Sequence, residues 1–198
     1  TMKQSKFSTK YLVELALLVA IILLMAFTPI GYIKTLGLEI TLIVIPVAVG
    51  AVTLGPAGGA ILGGVFGITS FIQCFGMSAF GTVLLGVNPF LTFLVCVPTR
   101  ILVGWLTGLI YKGLGKTSLP SGASITIANL CCPLLNTALF MGSLVTLFAG
   151  TMREQFGMTQ VLPFIVTFVG INGLVEAAVC FVVGAGVSVA LKKALKYS

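Results

Sequence analysis

Arg100 and Glu176 stand inside long apolar runs of this chain, where an ionised group has no water to meet. A charge at such depth is costly unless it has a partner or lines a cavity. Arg100 suits a carboxylate, because a guanidinium can bind both of its oxygens at once. Asn172 lies four residues before Glu176 and shares its face in a helix; Asn129 and Asn136, seven apart, share another. Pro133, between those two asparagines, removes a backbone hydrogen bond and frees the carbonyl of Asn129. Glu176 and the asparagines suit hydroxyls and amides, so the set favours an anionic or zwitterionic polar ligand over a hydrophobic one. Bond-making chemistry has no such support. The chain has no His, no Asp and no Ser/Lys or paired-carboxylate constellation, and it is not expected to be an enzyme.

Two further motifs carry less than they first promise. Gly113-Leu-Gly-Lys-Thr-Ser looks like a phosphate loop, but the glycine needed five residues before Gly115 is Ile110, and the run follows an apolar segment rather than a strand. It reads as a polar turn, and no nucleotide site is visible. Cys74, Cys96, Cys131, Cys132 and Cys180 sit within apolar sequence and form no C-x-x-C pair, so they read as small packing residues and no metal is expected.

The elements that must hold the polar groups are transmembrane helices. The chain has 198 residues, 58% of them hydrophobic and 8% charged, against about 25% charged in soluble domains. A helix needs about 20 apolar residues to cross the hydrocarbon. Six such segments are expected, over approximately 10–29, 40–54, 57–75, 88–112, 121–150 and 160–194, in one all-α transmembrane bundle with no second domain. A cleaved leader is a poorer reading of the first segment, because the apolar run continues and five more follow. The net charge of +7 follows the positive-inside rule rather than implying nucleic acid. Lys3, Lys6, Lys10, Lys112, Lys116, Lys192, Lys193 and Lys196 fall on one side of a six-span chain, which places both ends in the cytoplasm.

Within this frame Arg100 lies about 12 residues, or ~18 Å, from either end of the fourth helix. Glu176 lies ~24 Å from Lys192, in the outer half of the sixth. Side chains lean toward their helix N-terminus, so both lean outward, and three helices put polar groups at middle-to-outer depth. That is a pocket. The bland alternative is a structural Arg100–Glu176 ion pair with the asparagines stitching helices together. Gly55, Gly59, Gly63 and Gly67 recur every four residues, and Gly104 and Gly108 repeat the device, as close helix packing requires. Ala16 and Ala20 stand one turn apart on the first helix. The outer loops, including 75–88 and 150–160, are the longer ones, as a lid over an outward pocket would need. No internal repeat supports a transporter of inverted halves.

Together these residues resemble the substrate-binding S component of energy-coupling factor (ECF) vitamin importers, over nearly the whole chain. The likeness is carried by Ala16-x-x-x-Ala20, Thr28-Pro-Ile-Gly-Tyr32, Ile45-Pro46, Leu54-Gly-Pro56 and Gly63-x-x-x-Gly67. It continues through Asn88-Pro89, Pro98-x-Arg-Ile-Leu-Val-Gly104, Asn136-Thr137 and Asn172-Gly-x-x-Glu176, and is closest to the pantothenate-type branch. The resemblance implies a six-helix protein of the bacterial plasma membrane that binds a vitamin at its extracytoplasmic side, without a cofactor of its own. Its partners would be a transmembrane coupling subunit, docked on Ala16 and Ala20, and two cytoplasmic ATPases. Arg100, Asn129, Asn136, Thr137, Asn172, Glu176 and Asn88 would be the binding residues. Leu174-Val175 and Val44-Ile45 depart from the branch's usual residues and leave another vitamin, such as riboflavin, open. A stand-alone proton-coupled transporter of a small anion, with Glu176 as the proton carrier, is the rival.

Overall fold

The computed structural model describes residues 8–28, 31–34, 39–148, 150 and 173–196. Asn172, the expected 150–160 loop beyond residue 150, and the start of the sixth expected helix lie outside the described residues.

Helix α1 spans Thr9–Ala26 and opens on Ser8, whose hydroxyl accepts from the Tyr11 amide at 3.2 Å. A two-stranded antiparallel ribbon follows, β1 (Tyr32–Lys34) with β2 (Glu39–Thr41), in the register Tyr32 with Thr41. Next come α2 (Val44–Thr53), α3 (Gly55–Gln73), α4 (Ala79–Val87), α5 (Pro89–Leu114) and α6 (Ser121–Leu147). The last span, α7 (Gly173–Ala194), is wound as a π-helix over Cys180–Gly184, and its final stretch continues as α-helix over Ala185–Lys196.

The fold is a helical bundle, and five helices (α1, α3, α5, α6 and α7) are long and apolar enough to cross a membrane. The second expected span is shorter than the sequence implied. Residues 39–41 pair as β2, so α2 keeps ten residues, about 15 Å against the ~30 Å of hydrocarbon. The segment 75–88, expected as loop, contains α4. Ser78 caps it by accepting from the Gly81 amide at 3.3 Å, and Asn88 ends it and starts α5. Its two glycines disguised a short apolar helix.

Contacts between helix ends give their directions. The Gln73 amide donates to the Ala26 carbonyl at 2.6 Å, so α1 and α3 run parallel. Gly108 near the end of α5 meets Pro56 at the start of α3, so these two are antiparallel. Lys192 donates to the Tyr111 hydroxyl at 2.5 Å, which brings the ends of α5 and α7 together. Thr9, Gly55, Leu114, Ser121 and Lys192 therefore share one end of the bundle.

Helix α2 is the centre. Val44, Val47, Ala48 and Val49 are buried with Leu18 and Ile22 of α1, Leu62 and Phe66 of α3, Val103, Cys132 and Cys180. A second cluster joins Leu84 of α4, Val95 of α5, and Leu144 and Phe148 at the end of α6. Outward faces are apolar as well: Leu12, Val13, Leu17, Trp105, Leu134 and Val182 are exposed. Lipid is as apolar as Leu, so helix association here rests on close packing rather than on escape from water. The closest packing lies between α3 and α5. A Cβ on Gly63 would run into the Arg100 carbonyl, and one on Gly67 would stand 2.8 Å from the Val97 Cα.

Gly63→Ala should therefore lower thermal stability in detergent, at about 1–3 kcal/mol for an overpacked contact. Gly64→Ala should be tolerated, because a Cβ there meets only the Ile101 side chain at 3.6 Å. Equal melting temperatures for the two variants would refute this account of the α3–α5 seam.

Candidate functional site

Pro98 deprives α5 of one backbone donor, two residues before Arg100. The carbonyl left without its helical donor is that of Leu94, and Thr99 and Arg100 bond to the next one along, Val95. The Thr99 hydroxyl donates to the Val95 carbonyl, and Arg100 Nη1 donates to the same carbonyl at 2.8 Å and to Thr99 Oγ1 at 3.1 Å. The Arg100 side chain thus runs back toward its helix N-terminus, as helical side chains do. It is buried, with its guanidinium carbon 4.3 Å from the Phe140 ring centre and 5.5 Å from that of Phe66. Out of water, such cation–π contacts reach about 2 kcal/mol or more.

Glu176 approaches from α7. Its Oε1 accepts from the Thr41 amide at 2.8 Å, a bond between residues far apart in the chain that ties the end of the ribbon to the last helix. Its Oε2 is buried and has no hydrogen-bond partner among the described residues. Arg100 of α5 acts on this carboxylate through its charge, and Asn136 of α6 through the donor side of its amide. Asn136 is itself buried, and its Oδ1 also lacks a partner among the described residues.

The depths agree. Arg100 is 11 residues from Tyr111, and Glu176 is 16 from Lys192, at the shared end of the bundle. The five-residue difference is about 7.5 Å along a helix, and the return of Arg100 to Val95 spans the same five residues. Arg100, Asn136 and Glu176 are thus brought together by α5, α6 and α7, with the ribbon completing the cluster.

Other expected residues have other surroundings. Asn129 is fully buried; its Nδ2 donates to the Ile125 carbonyl at 2.9 Å and to Ser188 Oγ at 3.2 Å. It clamps α6 to α7 two turns from Asn136. Asn88 caps α5, accepting from the amides of Phe90 at 3.1 Å and Leu91 at 3.2 Å. Thr137 packs against Gly173, where a Cβ would be 3.4 Å from its hydroxyl oxygen. Ala16 and Ala20 are exposed on α1 among Leu12, Val13 and Leu17, facing away from the bundle. Among the described residues no group of three or more His, Cys, Asp or Glu side chains is arranged to hold a metal ion.

The family model described as ECF transporter, substrate-specific component, matches residues 10–188. The chain belongs to that family. It is also similar to the pantothenate transporter PanT of Leuconostoc mesenteroides subsp. mesenteroides, 36% identical in a 109-residue alignment that covers 52% of either protein. The chain thus spans about half the length of the curated relative it matches. As a member of this family with five helices long and apolar enough to cross a membrane, it is a multi-pass membrane protein.

The residue types alone did not point to Thr41, Phe66, Phe140 or Thr99 in this S component. Thr41 acts through a backbone amide, which every non-proline residue has. The two phenylalanines are indistinguishable in sequence from the other 12 of the chain's 14. Thr99 had a usable signal, since it adjoins Arg100 and follows a helix-interior proline.

The clamp at Asn129 gives an expected outcome. Asn129→Ala leaves Ser188 without this partner and should cost about 1–3 kcal/mol of stability, read as a lower melting temperature, with ligand affinity held within a few-fold. A large loss of affinity at unchanged stability would move Asn129 into the binding set.

Proposed function

We propose that this S component captures a water-soluble vitamin, with pantothenate the first candidate, at the extracytoplasmic side of the bacterial plasma membrane. A transmembrane coupling subunit and two cytoplasmic ATPases would complete the importer and supply the energy. The observation that carries the reading is the meeting of a buried guanidinium, a buried carboxylate and a buried amide from three helices within a chain of this family. The partial likeness to a pantothenate transporter supports the choice of vitamin.

The shape of the bundle fits that reading. Both described ends lie at the Lys192 end, where Lys10, Lys112, Lys116 and Lys193 also cluster in sequence, and positive charge favours the cytoplasm. The binding cluster then sits toward the opposite, outer side. The short α2 leaves part of the return path to the ribbon, which therefore enters the outer half of the membrane. Non-helical backbone is tolerated at that depth only where protein buries it or a water-filled cavity is lined by it. Arg100 would take the ligand carboxylate, with Asn136, Thr137, Asn172 and Glu176 around the remainder. Ala16 and Ala20, exposed on α1, would admit a coupling-subunit helix to close approach.

A thermal-shift screen of the purified chain against water-soluble vitamins, riboflavin included and ATP absent, should give stabilisation by pantothenate. No shift with any vitamin would overturn the reading. Arg100→Ala should weaken pantothenate binding at least tenfold, in line with the about 1.5–3 kcal/mol of a charged hydrogen bond. Titration calorimetry checks it, and unchanged affinity would assign Arg100 to structure. Ala16→Trp should leave binding intact but prevent co-purification with the coupling subunit and abolish uptake. Uptake at the parental rate would remove the docking role.

A further inference from the structure

We propose that Glu176 Oε2 and Asn136 Oδ1 form an acceptor pair that selects ligands by their hydrogen-bond donors, two hydroxyls at the end opposite the carboxylate. The inference rests on the functional reading above and deepens it.

Both atoms are buried acceptors without a partner among the described residues, on side chains that are 5% and 7% exposed respectively. Such atoms are rare in folded proteins, and each calls for an explanation. They are not leftovers of a loosely packed region. Thr41 already satisfies Oε1 of the same carboxylate at 2.8 Å, so the carboxylate is oriented and only its second oxygen is open. Asn136 stands close enough to act on that carboxylate, so the open acceptors belong to neighbouring side chains.

The donors nearby, the Asn136 amide and the Arg100 guanidinium, belong to the cluster itself, and neither comes within hydrogen-bond geometry of these two oxygens. A carboxylate or amide carbonyl accepts and cannot donate, so a ligand that turned its own carboxylate toward these atoms would set acceptor against acceptor. Arg100, a donor-only group, stands across the cluster on α5. The arrangement therefore has a polarity, with the guanidinium donors on the α5 side and the two open acceptor oxygens on the α6 and α7 side. It fits a molecule with a carboxylate at one end and hydroxyls at the other. Pantothenate has that layout, with two hydroxyls on its acyl half and a carboxylate on its β-alanine half. A site built to bond a hydroxyl rejects the analogue that lacks it far more strongly than an apolar site rejects a missing methylene.

The test compares pantothenate with N-(3,3-dimethylbutanoyl)-β-alanine, which keeps the carboxylate, amide and branched carbon but lacks both hydroxyls. Calorimetric titration of the purified full chain should show the analogue binding roughly a hundredfold or more weakly. Glu176→Gln retains an oxygen for the Thr41 amide but places an NH2 donor where Oε2 accepts. It should weaken pantothenate at least tenfold and change the analogue's affinity by less than threefold. Analogue binding within a few-fold of pantothenate would overturn the inference, since the acceptors would then be satisfied by water. A neutral Glu176→Gln, or an equal loss for both compounds, would overturn it too. The analogue comparison on the parental protein stands even if the variant does not fold. No binding of pantothenate to the parental protein would overturn the functional reading, and this inference with it.

Discussion

A guanidinium in the middle of a hydrocarbon-spanning helix is the constraint from which most of this structure follows. Left in lipid it would be costly by any scale. The bundle surrounds Arg100 on several sides: Gly63 brings the α3 backbone against its carbonyl, Phe66 and Phe140 face the guanidinium, and Thr99 and Val95 accept from it. The glycine seam and the charge are one arrangement. Side chains on α3 at positions 59, 63 and 67 would push α5 outward and open the Arg100 environment to lipid.

The carboxylate on α7 is handled differently. Glu176 is tied to the backbone of a ribbon rather than enclosed by aromatic rings, and the ribbon owes its depth to the shortness of α2. A full-length second span would carry residues 39–41 to the membrane surface, too far to reach Glu176. The interrupted second span and the hydrogen-bonded carboxylate therefore depend on each other. Each backbone polar group that leaves helical pairing at depth needs a partner, and Glu176 is that partner for the Thr41 amide.

Much of this was legible in the residues, and the exceptions have physical reasons. Hydropathy located α1, α3, α5 and α6 because a spanning helix must be apolar for most of its length. It overlooked α4 and the ribbon, since nine residues broken by glycine and two three-residue strands leave no periodic signal. Rarity of charge in lipid singled out Arg100 and Glu176, and helical spacing added Asn136. The same spacing grouped Asn129 with Asn136. Seven residues return a side chain to nearly the same face but ~10.5 Å along the axis, and at that distance Asn129 meets Ser188 instead of the carboxylate. Facing was readable from spacing; the neighbour at each level depended on the tilt and register of α7.

Register in α7 is set by its π turn. In an unbroken α-helix the twelve residues from Glu176 to Ser188 turn through about 1,200°, which would leave the two side chains about 120° apart. A π turn accommodates one extra residue, removing roughly 100° of that offset. Glu176 beside Asn136 and Ser188 beside Asn129 then lie on nearly one face, both turned to α6, as their burial requires. Gly184, the last residue of the π turn, leaves room for the Asn129 side-chain oxygen, which would lie 2.7 Å from any Cβ placed there. The wide turn is thus what lets a single helix supply the carboxylate of the buried polar cluster at one level and the hydroxyl of a helix clamp at another. Restoring regular α-helix at 180–184 would keep one of those contacts and rotate the other away.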